Sequence, residues 1–207
     1  MNPTPIFPTL FCPPIAYFAA LAKYEEVTIE QHETFPKQTY RNRAIILSAN
    51  GLLPLSVPVT RPNGNHTLTK NIGISYAESW HIHHWRAIES AYNTAPYFMY
   101  YKDAIHDILF ANHNHLVALN HELLVFFLKK TKISTLINYS SDYTPGDETN
   151  ADIDYRQIFS RKYSGNEAPM PEYTQVFSTK FPFQPNLSIL DLLFNLGPEA
   201  GAYIKSL

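Results

Sequence analysis

The order of period-two and period-3.6 segments predicts an α/β fold: a mixed sheet begun by an N-terminal strand-helix-strand unit, with helices packed on it. Three observations carry that expectation. Residues 6–30 pass from an extended apolar stretch, through a compact apolar helix pattern, to an alternating β-branched stretch. Residues 40–59 read as two strands joined at Asn50-Gly51, a strong turn signal. Residues 79–129 carry apolar stripes at helical spacing. The 207 residues suit one domain, 1–207, with a long polar loop near 140–157.

The first strand is expected in IFPTLFC, residues 6–12, with Pro8 marking an edge or irregular portion. Pro13 and Pro14 fit a helix entrance, and Ile15, Phe18, Ala19 and Ala22 share a helical face. EVTIE, residues 26–30, is the second strand, and a parallel crossover between the two is right-handed. Residues 31–38 are a polar loop, and residues 40–48 return to a strand pattern. In LLPLSVPV, residues 52–59, the prolines at 54 and 58 argue for an edge or broken strand. TRPNGN is a turn, and LTKNIGIS, residues 68–75, is a short strand pattern. Trp80, His84, Ala87, Ile88, Ala91 and Tyr92 mark a helix that Pro96 stops. Phe98, Tyr101, Ile105, Ile108 and Leu109 mark a second, residues 116–129 a third, and ISTLIN, residues 133–138, a strand. Residues 171–185 are aromatic and irregular. Residues 187–196 form the last amphipathic helix, capped by Ser188 or Asn186 and stopped at Gly197-Pro198.

Composition narrows the function. A net charge of -2 gives no basic field for nucleic acid. A single cysteine, Cys12, excludes an internal disulfide framework and a cysteine-based zinc site. No apolar run approaches bilayer length, and MNPTPIFPTLFCPP lacks a basic n-region, so no transmembrane segment and a cytoplasmic location are expected. Fourteen Tyr and thirteen Phe suit an aromatic core with a wet rim, or a site that stacks on a flat ligand. The seven glycines leave little room for a glycine-built phosphate cradle, and no dinucleotide or nucleophile-elbow motif is present. The histidines at 81, 83 and 84, and those at 113, 115 and 121, match no zinc spacing, so no metal is assigned. No cofactor is assigned either.

Candidate site residues cluster by position. Parallel α/β sheets collect ligand groups at strand C-terminal ends, which raises Glu30, Gln31 and His32. Arg41 and Arg43 share one face of an extended segment, with Tyr40 and Asn42 on the other. With Lys37 they form either a bidentate anion clamp or a solvated strand entrance. His84, beside Arg86 on a helix, is an acid-base candidate. Asp191 lies inside an apolar run, where it needs a partner if it faces inward, and Asn195 and Glu199 lie at or beyond the helix end. The acidic stretch 142–154 either folds over the site or is a solvated loop.

The segments PPIAYFAAL, QHETFPKQTYRNRAIIL, LPLSVPV, HHWRAIESAYNTAPYF and PNLSILDLLFNLGPEA, in that order, resemble the WbqC-like protein family. The resemblance implies a role in bacterial surface-polysaccharide (O-antigen) biosynthesis, with acyl or aminoacyl (glycine) transfer to an amino sugar. It carries over His32, Lys37, Gln38, Tyr40, Arg41, Asn42 and Arg43, then Trp85, Arg86 and Glu89, then Asn186, Asp191, Asn195, Gly197 and Glu199. One departure is TIEQHETF, which stands where family members often have an Asp-rich turn. Under this reading Arg41 and Arg43 hold a carboxylate or nucleotide phosphate. His32 or His84 takes a proton from the attacking amine, and Glu30 orients His32. The partner is a small molecule, a nucleotide-sugar or activated amino acid. Two alternatives stand beside it: a nonenzymatic binding or assembly protein of a polysaccharide locus, and a nucleotidyltransferase-like or ligase-like enzyme with its site at strand ends beside Phe11 to Ile15.

Overall fold

The computed structural model describes residues 4–145, 154–160 and 169–207. The expected strand-helix-strand unit is present as β1 (Ile6–Pro8), α1 (Ile15–Leu21) and β2 (Glu26–Glu30). β1 pairs parallel with β2, and β2 pairs parallel with β7 (Leu136–Tyr139), giving the order β1-β2-β7. All three C-terminal ends therefore open on one edge. The antiparallel character lies in two separate hairpins. β3 (Arg43–Ser48) pairs with β4 (Gly51–Ser56), and β5 (Val59–Thr60) with β6 (Gly73–Ile74). Gly51 has φ 102°, a left-handed turn position that suits a residue without Cβ.

Three helices follow the predicted stripes: α2 (Trp80–Tyr92), α3 (Phe98–Phe110) and α4 (Leu116–Thr131). α5 (Ile189–Leu196) starts at Ser188, whose side chain accepts from Leu190 N. Every residue of α5 from Ile189 to Asn195 is buried, so this helix runs through the core instead of along it. A short helix, α6 (Ala200–Lys205), follows a 3-10 turn. The sequence reading did not foresee it. Gly201 makes it possible: a Cβ there would collide with the Thr131 carbonyl at the end of α4.

Two further elements differ from expectation. The strand pattern at 68–75 is mostly a 3-10 turn (Thr69–Asn71), and only Gly73–Ile74 is extended. The segment 40–48 becomes a strand only at Arg43. Gln38 has φ 57° and residues 38–42 form bends and a turn, so Arg41 precedes the strand. One buried apolar cluster joins the parallel sheet, the helices and β3, with Phe7, Tyr17, Phe18, Ile29, Phe127 and Phe194 among its largest members. Part of the acidic stretch expected at 142–154, residues 146–153, lies outside the described residues.

Candidate functional site

β2 ends in Glu30, a carboxylate with 0% exposure. Such a group needs full hydrogen bonding to remain buried. Its Oε1 accepts from the His32 main-chain N–H at 2.6 Å and from Ser140 Oγ at 2.8 Å. Its Oε2 accepts from Thr144 N at 3.3 Å, and Arg156 Nη1 stands 3.6 Å away. Ser140 is the residue after β7, so the adjacent ends of β2 and β7 supply the carboxylate and the hydroxyl.

Ser140 Oγ is surrounded. Gln31 N–H donates to it at 3.1 Å, and His32 Nδ1 lies 3.2 Å away. The single hydroxyl proton goes to Glu30, so His32 Nδ1 must be the donor to Oγ. That tautomer leaves Nε2 as the ring's acceptor. The His32 side chain is 12% exposed, so the relay Glu30–Ser140–His32 runs from the interior to the surface.

Arg156 completes this edge. It donates through Nε and Nη2 to Asp154, at 2.6 Å for the shortest contact, and through Nη1 to the Thr144 carbonyl at 2.8 Å. The Asp154 hydrogen bonds hold the Arg156 proton more tightly than usual, against burial, which works the other way. Asp154 bridges to Ile6 of β1, so this pair is moored to the sheet.

Arg41 is 1% exposed, and Glu33 pairs with one edge of its fork, Nε to Oε1 at 2.6 Å and Nη2 to Oε2 at 2.9 Å, while Nη1 is buried with no hydrogen-bond partner among the described residues. Asn120 of α4 donates through Nδ2 to the Arg41 carbonyl at 2.9 Å and to Thr9 Oγ1 at 3.2 Å. Arg43 donates to Ser56 Oγ at 3.0 Å across the β3–β4 hairpin. The two-arginine clamp is thus corrected. One guanidinium is buried and bidentately neutralised, and the other braces a hairpin. Period-two spacing required extension from Tyr40, and the turn at 38–42 removes it.

The other predicted positions divide plainly. Lys37 and Gln38 are exposed in the loop before that turn. Tyr40 is buried, and Asn42 Nδ2 donates to the Val57 carbonyl at 2.8 Å, tying the turn to β4's exit. Arg86 and Glu89 are exposed on α2, and Trp85 is half-buried against Phe98 and His106. His84 is buried against Phe11 and Trp80. Burial lowers its pKa to about 4, although a hydrogen bond with the Ser56 main chain opposes the shift. At neutral pH it is an uncharged core histidine and a weak base. Asn186 Oδ1 accepts from Ala16 N at 2.8 Å, capping α1 from a distant part of the chain. Asn195 Nδ2 bonds the Asp191 carbonyl at 2.8 Å, and Glu199 is exposed. Asp191 faces inward, where Tyr92, Tyr173 and Gln175 all donate to it.

Of the predicted residues, then, the strand edge holds Glu30 and His32, and Arg41 pairs with Glu33 in the segment that follows β2. Sequence reasoning missed Ser140, Arg156, Glu33, Asn120 and Thr9. Ser140 did have a signal, since it follows a predicted strand and the strand-end rule that raised Glu30 applies to it. Glu33 and Asn120 had none, because their partners come from tertiary packing. Among the described residues no group of three or more His, Cys, Asp or Glu is arranged to hold a metal ion. Among the same residues no helix is long and apolar enough to cross a membrane.

The protein is α/β, with a polar, charge-paired cluster at the C-terminal edge of a parallel sheet. The chain belongs to the WbqC-like protein family, which it matches over residues 9–168 and 162–203. It is similar to a protein of Mycobacterium tuberculosis (strain ATCC 25618 / H37Rv) described as uncharacterized protein Rv1507c. The two are 30% identical across 99% of this chain and 98% of that relative. No solved structure matches.

Proposed function

We propose that the protein is a transferase of bacterial surface-polysaccharide (O-antigen) biosynthesis that moves an acyl or aminoacyl group, such as glycine, onto an amino-sugar-linked acceptor. The observation that carries this reading is the Glu30–Ser140–His32 relay at the strand edge, with His32 at its outer end. Family membership gives the biosynthetic setting.

In this reading the acceptor amine attacks the carbonyl carbon of the activated acyl group, and a C–N bond forms. His32 Nε2 takes the amine proton. Ser140 and the Glu30 carboxylate steady the resulting imidazolium. The leaving group departs with the bonding electron pair and takes the proton back from His32. A positioned general base in such a step contributes roughly 10²–10⁴-fold. Arg41 is not assigned the substrate anion in this reading, because it is buried and Glu33 pairs with its Nε and Nη2.

The test is incubation of purified protein with candidate nucleotide-sugars and activated glycine, with products read by mass spectrometry. His32→Gln is expected to lower the transfer rate by about a hundredfold or more. A His32→Gln protein as fast as the parent removes the assigned base. A nucleotidyl-transfer or ligase-like reading draws on the same feature, since its site belongs at the C-terminal ends of parallel strands. Nucleoside triphosphates in the same assay separate the two by whether pyrophosphate is released.

A further inference from the structure

Away from the strand edge, residues 172–183 enclose an open cleft of about 490 Å³. This volume lies in the range of about 300–1,000 Å³ that small-molecule sites occupy. Three aromatic side chains line it, Tyr173, Phe181 and Phe183, together with Glu172, Thr174 and Ser178. Among the described residues that line it, none is Lys or Arg.

The floor is held firmly. Tyr173 Oη donates to buried Asp191 at 2.7 Å, and Gln175 Nε2 donates to the same carboxylate oxygen at 3.0 Å. Gln175 also clasps Gln184 through both ends of its amide, at 2.9 Å each. The far side of the loop is therefore tied to the near side. The Tyr173 and Phe183 rings meet edge to face, with centroids 5.1 Å apart. The Lys180 ammonium sits 5.4 Å from the Phe181 ring centroid and donates to the Ala49 carbonyl, which braces that ring against the β3–β4 turn.

We propose that this cleft binds a saccharide that is neutral or carries an amine. A pyranose presents an apolar face of C–H groups and a rim of hydroxyls, matching aromatic rings set among short polar side chains. Glu172 supplies an anionic partner for an amine and repels a carboxylate or phosphate, and among the described lining residues no cation offsets that repulsion. The cleft's volume admits more than one sugar ring. This binding needs no turnover and stands apart from the transferase reading.

The experiment is an NMR titration of the full chain with three probes: the glucosamine disaccharide, the N-acetylglucosamine disaccharide and the galacturonic acid disaccharide. The first two are expected to give saturable shifts on the Tyr173, Phe181 and Phe183 ring signals, and the acid to bind about tenfold or more weakly. Phe181→Ala is expected to weaken binding about tenfold through the lost stacking face. Ser178→Ala removes an exposed hydroxyl that no hydrogen bond holds among the described residues, keeps the fold, and is expected to weaken binding about threefold. Equal binding of all three sugars, no saturable binding of any, or unchanged binding in Ser178→Ala and Phe181→Ala overturns the proposal. Loss of transfer activity with these results intact would sink the transferase reading alone.

Discussion

Glu30 and Asp191 are both buried carboxylates, with 0% and 1% exposure, yet they sit in opposite surroundings. Glu30 has a guanidinium 3.6 Å away, and a serine links it to a histidine that reaches the surface. Asp191 has only neutral donors: two tyrosine hydroxyls and an amide. Burial accordingly raises its pKa, and the three hydrogen bonds pull it only part of the way back. It in turn raises the pKa of Tyr92 and Tyr173, for which burial is the larger cause. Burial of a charge therefore does not mark a site by itself. What separates the two is a chain of hydrogen bonds ending in a titratable group that is partly exposed, His32.

The comparison breaks most sharply at Asp191. Asp191→Ala strands Tyr92 Oη, Tyr173 Oη and one bond of Gln175 in the core. Losing a buried hub of this kind is expected to lower unfolding free energy by about 3–5 kcal/mol, read by urea denaturation. The folded fraction should still transfer at the parent rate. A variant of undiminished stability would show that the hub holds nothing together. The pH sign follows from the raised pKa. The folded state keeps its proton longer than the unfolded one, so Asp191's contribution is fully present below the unfolded value and is lost as pH rises through the folded one.

His84 sharpens the contrast with an opposite sign. Its pKa falls from 6.5 to about 4 on folding, so the unfolded chain binds a proton first as pH drops. Stability is present above pH 6.5 and is lost as pH falls through the window down to about 4. The expected loss is about 3 kcal/mol across that window. His84→Gln keeps a donor and does not titrate, so its stability should be flatter with pH there. An equal slope in parent and variant would assign the acid sensitivity elsewhere. Neither outcome bears on transfer, because His84 lies among Phe11 and Trp80, not in the relay.

Much of the fold was legible because the signals are local. The stripe Phe98, Tyr101, Ile105, Ile108 and Leu109 is the buried face of α3, residue for residue. Asn50-Gly51 turns the β3–β4 hairpin as expected. The strand-end positions of Glu30 and His32 were legible because EVTIE reads as a strand with the bounds that β2 has. Arg41 was misread, since its direction depends on a turn at Gln38 and on Glu33, eight residues back, neither of which spacing reveals. α6 escaped because Ala, Gly and Ala signal no stripe; its helix is fixed by packing of Gly201 on Thr131. The direction of Asp191 was open for the same reason: its partners come from 99 residues before it and from the irregular segment just upstream.

Ser140 gives the smallest effect and the finest test of the comparison. Its hydroxyl donates to Glu30 and accepts from Gln31 N and His32, so it touches three groups of the strand edge but not the substrate. It is a positioning residue. Ser140→Ala is expected to lower stability by about 1–3 kcal/mol, the cost of leaving buried Glu30 one hydrogen bond short. It leaves His32 Nδ1 without its acceptor, so the tautomer with Nε2 bare is no longer held. A misplaced base slows proton removal more than it weakens binding, so kcat is expected to fall about tenfold with KM little changed. Ser140→Thr retains the hydroxyl and should restore most of the rate. A purely structural role predicts something else: lost stability with kcat intact, and no rescue of rate by threonine. Steady-state kinetics on both variants, beside their urea midpoints, decides between them. If Ser140→Ala transfers at the parent rate, Glu30 is linked to His32 in position only, and the strand edge becomes a second structural hub like Asp191.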